Sequence, residues 1–217
     1  LLDSFYLSNE IAYLEQAREV IQHTISINDK IEERKLDDPE RTWFYVVFLQ
    51  AVARFLRQNK QLRAPLKCSH VELAFEKYII WMLHNEKPFL DSADKLEFIN
   101  ATWVAQDLRK AWLFDACLSI NCLPDQKVLL TERSQFFKDY VFEKLKNSPE
   151  KHYSRIIALV MQNLSSAKSN KTTSYGIRTQ VNVQNPFKRK TLKDNVWQLV
   201  KNASLNKEIA WLKSRLR

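Results

Sequence analysis

The sequence predicts an all-α protein, and three observations carry that expectation. Its 217 residues contain a single glycine, Gly176. Open sheets, barrels and phosphate-cradling loops draw on glycine for positive φ and close backbone approach, so a dinucleotide fold, a P-loop and a β-rich domain are all disfavoured. Apolar residues recur at steps of three and four along most of the chain. Prolines and acidic caps punctuate the pattern at short connections, which implies antiparallel helical hairpins.

Each element has its own justification. Leu7, Ile11, Leu14, Ala17, Ile21, Ile25 and Ile31 form one stripe, predicting a long first helix over 8–35. Asp38 followed by Pro39 is an N-cap with proline in the first turn, and starts a second helix over 39–60. Its apolar run from Trp43 to Leu49, continued by Val52, Phe55 and Leu56, suits a central helix buried on most sides. A third helix, over 68–87, presents Val71, Ala74, Phe75, Tyr78, Ile79 and Met82 and ends at Pro88.

The loop 88–101 is acidic and aromatic, with Asp91, Asp94 and Glu97 in it. Asn100 or Thr102 caps the fourth helix, which runs to about 121. Asp107 falls near the start of this helix, where the dipole favours a carboxylate. A fifth helix over 125–147 carries Leu129, Phe136, Phe137, Tyr140, Val141 and Leu145. Ser148-Pro149-Glu150 opens a sixth, with Tyr153, Ile156, Ile157, Val160, Met161 and Leu164 on one face. Thr42-Trp43 and Thr102-Trp103 echo one another, each opening an apolar helix after a polar connection. No known helical repeat signature is matched.

Charge divides the chain. Residues 168–217 hold 12 Lys and Arg against 2 acids, which leaves 22 against 23 in residues 1–167. The division suggests a helical body over 1–167, a polar linker over 168–190 and a basic C-terminal helix over 191–217. A basic segment of this kind suits an anionic partner, either nucleic acid or a membrane surface. The chain opens on Leu1, which reads as a fragment or a processed chain. No apolar run approaches the roughly 18 residues of a membrane span. Cys68, Cys117 and Cys122 lack a framework spacing and read as reduced core thiols, which points to the cytoplasm. Four histidines scattered over different helices, and no zinc-type cysteine spacing, give no reason to expect a metal or a cofactor.

The enzymatic chemistry that this composition accommodates is that of paired carboxylates. Glycoside cleavage needs one protonated and one ionised carboxyl across a bond, with aromatic faces to stack the sugar. Asp91, Asp94, Glu97 and Asp107 with Trp43 and Trp103 supply the residue types. The stretches WFYVVFLQAVARFL (43–56), YIIWMLHNEKPFLDSADKLEF (78–98) and TWVAQDLRKA (102–111) resemble inner helices and a rim loop of α/α-toroid proteins of the six-hairpin glycosidase type. The resemblance implies a partial α/α-toroid or a related helical bundle that takes a polysaccharide or oligosaccharide. Asp91, Asp94 and Asp107 would be its catalytic acids, and Trp43, Trp103, Gln106, Arg109 and Lys110 its substrate contacts. The other reading is a non-enzymatic helical interaction module whose basic tail meets a partner.

Overall fold

A computed structural model describes residues 1–149 and 154–164. They are helical, with no strand among them. The helices are α1 (Leu2–Ser8), α2 (Ile11–Thr24), α3 (Pro39–Thr42), α4 (Phe44–Lys60), α5 (Ser69–Asn85), α6 (Ala101–Gln106), α7 (Leu108–Ile120), α8 (Lys127–Lys146) and α9 (Ser154–Leu164). The predicted all-α fold of helical hairpins is the observed one. The linker at 168–190 and the basic helix at 191–217 lie outside the described residues, as do residues 150–153 of the predicted sixth helix.

The core is built on α4 and α7. Helix α4 buries Val46, Leu49, Val52, Ala53, Phe55 and Leu56, while α7 is buried nearly all round. Helix α5 adds Val71, Ala74, Phe75, Tyr78, Ile79 and Met82, the face that the periodicity predicts. Helix α8 packs back on α7 as a hairpin, burying Leu130, Phe137 and Val141. Phe136, expected inside, remains exposed. Helix α9 closes on α6 and α7, with Ile156 packed against Ala101 and Ala105, while its buried Asn163 bonds to Gln50 of α4.

Local capping explains the starts. The Asp38 carboxylate accepts from the Arg41 amide at 3.3 Å with Pro39 in the first turn, and the Asn100 side chain accepts from Thr102 N at 2.9 Å. The expected long helix over 8–35 is instead α1, α2 and a 3₁₀ turn at Ile31–Arg34. Asn9 takes a left-handed φ of 57° after α1. Past α2, side chains take over the backbone: Ser26 N donates to Asp29 Oδ2 and Asn28 N to Ser26 Oγ. Lys77 and Tyr78 of α5 then pin this turn, through the carbonyls of Ile27 and Asp29 and the Asp29 carboxylate. Ile25 and Ile31 of the predicted stripe are still buried, although neither lies in an α-helix.

The cysteines correct another expectation. Cys117 and Cys122 form a disulfide, while Cys68 is free and buried. The cause is the end of α7. Asn121 is left-handed (φ 52°), Cys122 N donates to Cys117 O and Asn121 N to Leu118 O. This pattern brings the side chains at its first and last positions together, and here both are cysteines, with Cα atoms 5.5 Å apart. A spacing that matches no framework is thus closed by one turn. The cytoplasmic expectation loses the support it drew from three reduced thiols. Among the described residues no helix is long and apolar enough to cross a membrane.

The bridge predicts that alkylation of the unfolded, unreduced chain labels Cys68 alone, and that prior reduction exposes all three thiols to the reagent. Intact-mass spectrometry reads the difference. By the chain-entropy relation for so short a loop, reduction lowers unfolding free energy by about 2 kcal/mol, measured by urea titration with and without reductant.

Candidate functional site

The predicted fourth helix bends at Asp107, and that bend organises the candidate site. Asp107 N donates to Val104 O and Lys110 N to Asp107 O, tightening the backbone to 3₁₀-type bonding between α6 and α7. The bend turns the Asp107 carboxylate inward, where it accepts the Phe89 amide at 3.1 and 3.2 Å. Lys110, one turn on, lies 2.9 Å from Asp107 Oδ1 and 2.7 Å from Glu86 Oε2, and donates to Lys87 O at 2.5 Å. Tyr45 donates to the other Glu86 oxygen, and Arg133 donates to the Glu86 carbonyl. The Lys110 ammonium also sits 3.5 Å from the centre of the Phe89 ring.

This cluster is shut off from solvent: Asp107 and Lys110 are both 0% exposed. Burial pushes the Asp107 carboxyl up to about 6, against the pull of Lys110 and the Phe89 amide. Burial also opposes the charge on Lys110, but the two carboxylates outweigh it and hold its pKa above the ordinary value. The Tyr45 hydroxyl is driven well up by burial and by Glu86, so it stays a donor. Two acids and two bases meet here, with every ammonium proton of Lys110 engaged.

The sequence-predicted site therefore divides. Asp91 and Asp94 are exposed on the 3₁₀ segment Phe89–Lys95, whereas Asp107 is in the core. The carboxyl acting on Asp107 is Glu86, which the sequence reading did not single out. Lys110, expected to touch substrate, spends its donors inside the protein. The pairing of Glu86 with Lys110 joins residues 24 apart, and only its position just before Pro88 marked Glu86 as lying at a helix end.

Three predicted contacts do come together. Trp43, Gln106 and Arg109 line a cleft of about 350 Å³, completed by Arg155, Ala158, Leu159 and Gln162 of α9. Trp103 is not in the lining but backs it, edge-on to Trp43 with ring centres 6.5 Å apart. Its indole N–H donates to Phe98 O at 3.0 Å and its ring meets Phe89 at 5.5 Å. The paired tryptophans noted in sequence are thus one contact, linked through Phe89 to the buried cluster. Arg109 donates to Gln50 Oε1 at 2.8 Å and to Gln162 Oε1 at 3.3 Å. Gln50 in turn donates to Asn163 Oδ1 at 2.8 Å, tying the cleft floor to α9.

Among the described residues no group of three or more His, Cys, Asp and Glu side chains is placed to hold a metal ion. No family model matches the sequence, and no curated protein or solved structure matches the chain.

Replacing Lys110 with Met strands two buried carboxylates, and destabilises the fold by about 3–5 kcal/mol, read as a shift in urea midpoint at unchanged slope. The pH response follows from Asp107. Its pKa is raised on folding from 3.8 to about 6, so the stability associated with its protonated form is complete below about pH 4 and lost as pH rises through about 6. Asp107→Asn flattens that segment of the stability–pH curve.

Proposed function

We propose that the protein binds a saccharide in the Trp43 cleft without cleaving it. The observation that carries this reading is the convergence of Trp43, Gln106 and Arg109, three of the predicted sugar contacts, in one cleft that none of the predicted catalytic acids lines. A tryptophan face beside amide and guanidinium donors is the chemistry that stacks a pyranose ring and fixes its hydroxyls. The side-chain amide of Gln106 has no hydrogen-bond partner among the described residues, leaving it available to a ligand. Hydrolysis needs two carboxyls facing one bond. Asp107 is instead consumed by Lys110 and Phe89 N, and Asp91 and Asp94 stand in solvent. Kinship to α/α-toroid proteins belongs to the same proposal and draws support from the helical hairpins.

A second reading has its own observation. Phe44, Phe98 and Ile99 are 58%, 70% and 64% exposed, on segments that touch the tryptophan pair. Such apolar side chains suit a macromolecular partner resting on the rim.

A glycan-array screen of the intact chain, followed by calorimetry on the best ligand, tests the saccharide reading. Trp43→Ala is expected to weaken binding by about tenfold or more, on the scale of a buried aromatic contact. Asp91→Asn and Asp94→Asn should leave affinity unchanged, and chromatography of the ligand after long incubation should show no cleavage. Absence of binding to every sugar would sink the proposal and direct attention to the apolar rim.

A further inference from the structure

We infer that the ligand of the cleft carries an oxyanion, a carboxylate or a phosphate, seated against Arg109 and Arg155; this rests on the saccharide reading and names its chemical class as an acidic sugar. Two adjacent residues of α7 differ in how their charge is met. Lys110 is a buried cation and the fold gives it two carboxylates, Asp107 and Glu86. Arg109 is a buried cation too, only 8% exposed, and it pairs with no carboxylate among the described residues. The acceptors of its hydrogen bonds, Gln50 and Gln162, offer neutral amide oxygens, and its Nε has no hydrogen-bond partner among the described residues.

The surroundings increase the imbalance. The ionisable group whose charge acts on Arg109 is Arg54, another cation, and burial and repulsion both draw its pKa down. Arg155 of α9 also lines the cleft, exposed and without an ion pair among the described residues. A guanidinium out of water without an anion is costly, and its planar fork of donors matches a carboxylate or phosphate. An oxyanion entering between Arg109 and Arg155 supplies the missing counter-charge, with the sugar ring against Trp43. Neutral sugars offer no such compensation.

The test uses the intact chain and a matched pair of ligands: a galacturonic acid trisaccharide and its carboxyl-reduced, neutral counterpart. A hexose 6-phosphate serves as the phosphate arm. The acidic trisaccharide or the sugar phosphate is expected to bind about 30-fold or more tighter than the neutral trisaccharide, the scale of one desolvated charge pair. Whichever of the two binds identifies the oxyanion. Its affinity should fall as salt rises. Arg109→Gln should weaken the acidic ligand far more than the neutral one, so that the affinity ratio between the two falls toward unity. Arg155→Gln, at an exposed position that the fold does not need, should produce a smaller loss in the same direction and stands in should Arg109→Gln fail to fold. Equal binding of the neutral and acidic ligands overturns the oxyanion inference and leaves the saccharide reading in place. Binding of none of them overturns this inference, and the glycan array decides separately whether the saccharide reading survives.

Discussion

The Asp107 carboxylate holds the Phe89 amide and the Lys110 ammonium at once, and the arrangement of the cleft depends on that double grip. One contact fixes the start of the 89–95 segment against α7. The other draws in Glu86, and through Glu86 the Tyr45 hydroxyl of α4 and the backbone contact from Arg133 of α8. Four elements are therefore tied by polar contacts in the middle of an apolar core. Such a cluster is weak evidence for net stability, because the cost of burying charge offsets most of its attraction. What it supplies is register: a slip of α7 by one residue would bury its charges unpaired.

That register reaches the cleft by a short path. Phe89 lies under the Lys110 ammonium on one side and against Trp103 on the other, and Trp103 meets Trp43 edge-on. Trp43 thus owes its placement to a row of rings anchored at the ion cluster. Arg109 and Gln106 flank the bend at Asp107 and face the opposite way, toward α9. Helical spacing of three residues puts Asp107 and Lys110 together on the core side and Gln106 and Arg109 together on the cleft side.

What was legible in the sequence was local. Asp38-Pro39, Asn100 and the α5 face were readable because caps and periodicity act over a few residues. The end of the first helix was not, since it depends on Ser26 and Asp29 outcompeting the backbone and on α5 holding their turn. Glu86 escaped notice because its partner is distant in sequence. The disulfide was hidden because five residues between two cysteines says nothing until a left-handed Asn121 folds them together. At the cleft, the residue types Trp43, Gln106 and Arg109 were readable, but the missing countercharge of Arg109 emerges only once its neighbours are in place.

Residues 1–167 contain no glycine, and the left-handed positions Asn9, Lys35 and Asn121 are filled by residues with a Cβ. For ordinary residues that geometry costs roughly 1–2 kcal/mol each, less for asparagine. The counterpart lies in the denatured chain. Glycine widens the unfolded ensemble more than any other residue, so a glycine-free body has fewer disordered conformations to surrender on folding. The strain at a few turns is set against an entropy saving spread along the whole body, and this protein's native state is favoured partly by the narrowness of its alternatives.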